Sequence, residues 1–460
     1  MSAPLLLVIV SILTAFFAFL ARNQRAASAI ISVAGAALIA VFVLFVPFDE
    51  AFEILGVSLR FDSKWIVLGR VLNLEPSIRP MIGFLYLCGL YFFGGSWIII
   101  INRFFPSVAI LMLITVASSI MVEPFLYAAA FIGLAAMGSV LMLVSQMTPR
   151  SVGAVRLMVL YTFAMLAILL SGWMIETGSG TGSVFSEGVR AATVMGFGFA
   201  ILMAIPPFHV WITASAQESN PFILAFVTVI LQGAGFFLLM RFIDAYAWLR
   251  EDAIFTSGLQ VISAGTMLLS TLWALSARDL RRVFAYAVVT DMGVILLALS
   301  SSSPDGARIA LALFGPRVFG IAVLARGLCI ITSTGTTWRG IGRKYPLSAL
   351  AILIGLLSLA GFPLTAGFPG RWALLSLSFD QRGFILVTLL TTMILFALLV
   401  LRWATIIFDP QIQLERENGT LAQKSFLVMG IGGLLLLGIA PQILAPWVVE
   451  VASGLVNLFP

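Results

Sequence analysis

Between Arg190 and Arg241 the sequence carries an apolar stretch that is broken in the middle of its first run. An apolar helix pattern extends from Ala191 to Ile205, and Pro206 and Pro207 interrupt it before the hydrophobicity ends. Proline has no N–H to donate and its ring clashes with the preceding turn, so the helix must stop there. The single histidine of the chain, His209, follows at once. A semi-polar segment, Ile212 to Ser219, then leads to a second helix that restarts at Pro221 after Asn220. A helix broken inside hydrocarbon exposes backbone groups that only protein or a wet cavity can satisfy. Such breaks are also a way of building ion sites near the bilayer midplane.

The surrounding composition makes the membrane reading firm. Of 460 residues 61% are hydrophobic and 10% charged, with mean hydropathy +1.11, whereas soluble domains carry about 25% charged residues. Long uncharged runs recur from end to end, and the alternating ten-residue segments of a membrane barrel are absent, so an all-α, polytopic membrane protein is predicted. Cys88 and Cys329 both lie inside apolar runs and read as small buried hydrophobes. Two cysteines and one histidine leave no donor set for a haem, a zinc site or an iron–sulfur cluster. The net charge of +6 is scattered between spans, which argues for topology-setting arginines in a lipid bilayer and against a nucleic-acid surface.

Taken in order, the runs predict about fourteen transmembrane helices. Residues 1–78 hold two spans and an amphipathic interlude whose alternation suits a hairpin at the membrane surface, and 79–106 a third span. The first run has Arg22 and Arg25 after it and no cation before it, which predicts a retained span and not a signal peptide. A first five-helix unit is predicted at 107–245, a second at 246–410, and a final span and tail at 411–460. Span seven is the run broken at Pro206, and span twelve is interrupted at Gly361-Phe-Pro363. Interrupted helices at matching places in two halves point to two inverted five-helix repeats. Loops after odd-numbered spans hold Arg103, Arg150, Arg278, Arg281, Arg282, Arg339, Arg343 and Lys344, while even ones are mixed or acidic, with Glu176, Glu187, Arg250, Glu251 and Asp252. That bias predicts cytoplasmic odd loops and both termini on the outer side.

Charged groups at bilayer depth are costly and therefore face the bundle interior with a partner or along a pathway. Asp291 in span ten, Arg317 and Arg326 in span eleven, and Arg371 just after the span-twelve break are such groups. They read either as a polar file or as a structural ion pair of Asp291 with Arg317. Arginine barely deprotonates, so it can steer a proton file but not relay a proton. His209 is expected to titrate near neutrality or to hydrogen-bond the carbonyls freed by the break. Gln232, the most polar residue of span eight, would order water or make an interhelical hydrogen bond. Gln217 and Glu218 are expected to cap the helix that starts at Asn220. No residue reads as catalytic, cofactor-binding or metal-ligating.

Three segments carry a family resemblance. AIPPFHVWITASAQESNP resembles the PFHxWLPDAxxxAPTP signature of the antiporter-like membrane subunits of respiratory complex I (NADH:quinone oxidoreductase) and of the multisubunit sodium/proton antiporters. ARDLRRVFAYAVVTDMGVILLAL is similar to that family's DLKRxLAYSSIxHMGxxLL, and LSLAGFPLTAGFPGRWALL to SLAGxPPLxGFxGKW. The resemblance implies two inverted five-helix units with broken helices seven and twelve, partner membrane subunits, and FMN, iron–sulfur clusters and quinone held only in partners.

The departures are informative. Where the resemblance implies a glutamate in span five, a lysine in span seven, a lysine or histidine in span eight and a lysine in span eleven, this sequence has Ala135, Leu202, Gly233 (next to Gln232) and Phe319. The span-twelve cation is kept as Arg371, and the histidine of the HMG segment is replaced by Asp291. The first half is thus emptied of charge and the second recharged, which predicts either proton translocation through the second half alone or a scaffold subunit. A cation/proton antiporter subunit is the further alternative.

Overall fold

Without water to take up backbone hydrogen bonds, apolar runs fold as helices, and they dominate the structure, a computed structural model. It describes residues 2–54, 57–67, 69–99, 101–144, 151–178, 184–246, 249, 253–301, 303–332, 338–379, 383–411 and 419–458. Arg150, Arg250, Glu251 and Asp252, and the side chains of Glu176 and Glu187, lie outside the described residues. In chain order the helices are α1 Ala3–Leu20, α2 Arg25–Phe45, α3 Arg79–Ser96, α4 Phe105–Met121, α5 Ala128–Leu143 and α6 Val152–Gly178. Next come α7 Val184–Leu202, α8 Val210–Glu218, α9 Pro221–Ala245, α10 Ala253–Ser276, α11 Leu280–Leu299 and α12 Pro304–Thr332. The last are α13 Ile341–Lys344, α14 Pro346–Ala360, α15 Phe368–Phe379, α16 Gly383–Ile407, α17 Leu421–Ile439 and α18 Ala445–Ser453.

Ten helices among the described residues are long and apolar enough to cross a membrane, and Phe105–Met121, Arg190–Leu202 and Pro346–Ala360 are shorter apolar helices. Burial sorts them. The apolar windows of α9, α11 and α12 are 100%, 89% and 78% buried, against 39% for α1, α2 and α16. The first three are therefore central helices, and the others leave a face for lipid. The interlude after α2 forms two antiparallel hairpins, Ala51–Ile54 with Val57–Arg60 and Lys64–Val67 with Arg70–Asn73, the second turning through Gly69 at φ 74°. The strand Arg70–Asn73 also pairs with Val122–Glu123, between α4 and α5.

Two compact units make up the chain. One comprises Met1–Met203, Ile230–Ala245 and Ser453–Val456, the other Ala204–Val229, Tyr246–Ala452 and Asn457–Pro460. In the second unit a core of Val323, Ala351, Ala366, Leu427, Leu434 and Leu437 joins α12, α14 and α17. Of these helices α12 carries the buried Arg317 and Arg326.

Helix ends are closed by arginines. The last carbonyls of a helix lack intrahelical donors, and the negative end of the helix dipole favours a cation. In the first unit the Arg79 guanidinium donates to Val43 O and Val46 O at the end of α2, both at 2.7 Å. Arg241 donates to Ile120 O near the end of α4 at 2.8 Å. In the second, Arg402 donates to Leu275 O and Ala277 O around the end of α10. The helix start at α9 differs from expectation: Gln217 and Glu218 lie inside α8, and the Asn220 side chain itself accepts from the Phe222 N–H at 2.9 Å. An amide two residues before the donor reaches it by a tight turn, which the bulkier pair upstream cannot. Replacing Arg79 by alanine is expected to destabilise the first unit by about 1–3 kcal/mol, with Arg79→Lys in between, measured by thermal unfolding in detergent.

Candidate functional site

The two breaks share a backbone device. Residues 203–209 join α7 to α8 and residues 361–367 join α14 to α15, seven in each. Each contains one non-glycine residue in the left-handed region, Ala204 at φ 56° and Leu364 at φ 67°. Such residues are uncommon, so the shared feature marks the same problem solved twice. Pro206 and Pro207 lie in the first linker and Pro363 in the second, while Pro221 opens α9 at the first helical position.

What satisfies the freed carbonyls differs. At the first break the donors are neutral: the Tyr161 hydroxyl reaches Leu202 O at 3.1 Å and the Gln232 amide reaches Met203 O at 2.9 Å. Tyr161 and Gln232 are fully buried, and Leu202 is 2% exposed. Gln232 therefore makes an interhelical hydrogen bond to the break. The backbone of α9 comes so near there that a Cβ on Gly235 would lie 3.0 Å from the Leu202 Cβ.

At the second break the donor is charged. Helix α14 ends on Gly361 at φ 79°, with the Gly361 N–H donating to Ser358 O (3.1 Å) and the Phe362 N–H to Leu357 O (3.0 Å). This is the glycine-terminated helix end in which the next two N–H groups return to the last turn. It leaves Leu359 O without a backbone donor. Arg371, in the first turn of α15, folds back over the linker and supplies one. Its Nη2 donates to Leu359 O (2.5 Å) and to Asp291 Oδ1, and its Nη1 to Gly367 O (3.2 Å) and, at the limit of a hydrogen bond, Ser358 O (3.5 Å).

Asp291 comes from α11 and accepts a second arginine. Arg317, one residue after Pro316 inside α12, donates from Nη1 to Asp291 Oδ2 at 2.9 Å and to Val288 O at 3.1 Å. Asp291, Arg317 and Arg371 are 4%, 1% and 2% exposed. Each carboxylate oxygen thus faces one guanidinium, the arrangement of an ionised carboxylate acting only as acceptor. The ion pair of Asp291 with Arg317 is present, and Arg371 closes it into a three-membered cluster.

His209 packs among aromatic rings. The His209 ring stacks on Trp273 of α10, centroids 4.9 Å apart and planes at 15°, and lies 6.0 Å from the Tyr286 ring of α11. Its Nδ1 is buried and makes no hydrogen bond among the described residues. That nitrogen therefore reaches none of the carbonyls freed by the break, and the ring packs face to face on the Trp273 indole. Arg326 is buried too, its guanidinium 5.8 Å from the Phe426 ring centroid. Sequence reasoning missed Tyr161, Trp273 and Tyr286, which lie in ordinary apolar surroundings with no local signal. It also missed the acceptor role of Ser358 O, Leu359 O and Gly367 O, which the Gly361 stop implies once the orphaned last turn is considered.

Residues 185–397, spanning both breaks and all three charged residues, match the family described as NADH:quinone oxidoreductase/Mrp antiporter, TM. Over that stretch, a little under half of its length, the chain is similar to this antiporter-like membrane-subunit family. It superposes on a chain of the Mrp complex from Dietzia sp. DQ12-45-1b with TM-score 0.78 at 19% identity, covering 99% of this chain and 97% of that one. With a chain of respiratory complex I from Thermus thermophilus with bound NADH the TM-score is 0.75 at 20% identity, covering 98% and 100%. At those identities the likeness speaks to the fold alone. In sequence the chain is 30% identical over 262 residues to the NADH-quinone oxidoreductase subunit N of Parafrankia sp., covering 54% of this chain and 49% of that protein. It spans about half the length of the curated relatives it matches. The antiporter-like fold is thus retained end to end, while sequence similarity is concentrated around the breaks.

Two substitutions test the neutral first break. Gln232→Leu, which leaves Met203 O without its amide donor, is expected to cost about 1–3 kcal/mol of stability. Leu202→Lys, restoring the cation the resemblance implies, is expected to lower the amount of folded protein in the membrane, because it buries a charge in a site lined by neutral donors. Normal yield and melting of Leu202→Lys would contradict the neutral lining.

Proposed function

We propose that the chain is an antiporter-like membrane subunit of an NADH:quinone-oxidoreductase-type complex in a bacterial inner membrane, with proton translocation confined to its second half. In this reading the helices form about fourteen spans, with inverted five-helix repeats at 107–245 and 246–410 and both termini on the outer side. Redox chemistry belongs to partner subunits that hold FMN, iron–sulfur clusters and quinone. Other membrane subunits are the partners.

The observation that carries the second-half assignment is Asp291. It is the buried acidic side chain among the described residues, and it sits at the second break, bonded to the arginine that closes it. A proton crossing this unit would dwell on Asp291, and the flanking Arg317 and Arg371 would set the energy of its arrival. At the first break Leu202 cannot exchange a proton and the donors are a hydroxyl and an amide.

A scaffold reading has its own support. Both Asp291 oxygens are held by guanidinium groups that do not release protons, a geometry that also serves to lock three helices. The two are separated in the reconstituted complex. If Asp291 carries protons, Asp291→Asn and Arg371→Ala each reduce proton uptake per turnover several-fold while the complex still assembles. Unchanged uptake with both substitutions would leave only the scaffold.

A further inference from the structure

The oxygens around the Arg371 guanidinium form a set that deserves a name of its own chemistry. Three are backbone carbonyls of the second break, Ser358 O, Leu359 O and Gly367 O, and one is a carboxylate oxygen of Asp291. Beside them the Ser358 hydroxyl, on a residue 1% exposed, has no hydrogen-bond partner among the described residues. Unwound carbonyls, the open end of a half-helix and one carboxylate are the donor set with which a broken membrane helix holds a free cation. We infer that the second break is a built cation-binding cage and that Arg371 is a tethered cation filling it.

The backbone is shaped for that occupant. A Cβ on Gly361 would lie 2.2 Å from the Arg371 Cδ, and one on Gly367 would lie 2.7 Å from Nη1 and 1.9 Å from Ser358 O. Both glycines therefore clear the path along which the side chain folds back and the wall against which its head group lies. The planar head meets acceptors on both terminal nitrogens, a geometry that an ammonium point charge reproduces only in part. Because the occupant is covalently attached, the cage is full at any ion concentration, and no free ion can dwell there unless Arg371 leaves. This inference stands whether or not protons move through the chain.

The cage becomes accessible when the tether is cut. In the full chain purified with its copurifying partners, Arg371→Ala should gain a saturable thermal stabilisation of roughly 2–4 °C from low-millimolar guanidinium chloride. Urea, the neutral molecule of the same shape, should give none at equal concentration. Wild type, whose cage is filled, and Arg371→Ala combined with Asp291→Asn, whose cage has lost its carboxylate, should not respond. No saturable response in Arg371→Ala, or the same response in all three proteins, would overturn the assignment. Should Arg371→Ala fail to fold, membrane levels of Arg371→Lys and Arg371→Gln decide. A cage that needs a cation keeps the lysine variant several-fold above the glutamine one, and equal levels would refute it.

Discussion

A carbonyl freed at a helix end inside hydrocarbon has no water to turn to, and the structure is arranged around that constraint. Every helix end described above finds a donor within the protein: Arg79 at α2, Arg241 at α4, Arg402 at α10, and side chains from other helices at the two breaks. At the ends of α2, α4 and α10 an arginine does this from a part-buried position. At the breaks the donor must sit deep, and the energetic choice is sharper. A neutral donor avoids the desolvation penalty of a buried ion, whereas a guanidinium incurs it and needs a carboxylate.

The chain makes both choices, one in each half. Tyr161 and Gln232 close the first break without charge, and Arg371 closes the second with Asp291 as its counter-ion. Arg317 then binds the other Asp291 oxygen, so one carboxylate ties α11 to α12 and α15. Removing a buried charge together with its partner can leave a helix core as stable as before, which fits a first half that keeps the fold with Leu202 and Gly233 where the resemblance implies a lysine and a lysine or histidine. The architecture needs donors at the breaks. It does not need those donors to be ionisable.

Much of this was legible in the residues. Pro206-Pro207 and Gly361-Phe-Pro363 announced both breaks, Asn220-Pro221 the restart, and the alternating interlude after α2 a hairpin, where the structure has two. The ion pair of Asp291 with Arg317 is one of the two readings that charge at bilayer depth leaves open. Other features depend on distant segments meeting, and periodicity cannot report them. The pairing of Arg70–Asn73 with Val122–Glu123 joins strands about fifty residues apart, and the Tyr161 hydroxyl reaches across forty-one residues to Leu202 O. His209 drew attention as the single histidine, yet its ring packs on Trp273, a contact no local rule anticipates.

Asp291 and Arg371 form one energetic unit at the second break. A double-mutant cycle on thermal or denaturant unfolding of the assembled protein, using Asp291→Asn, Arg371→Gln and the pair, measures this directly. Coupled buried groups are expected to show an interaction energy of about 2 kcal/mol, with the double variant less damaged than the sum of the single ones. Additivity within about 0.5 kcal/mol would contradict the ion cluster as what holds the break.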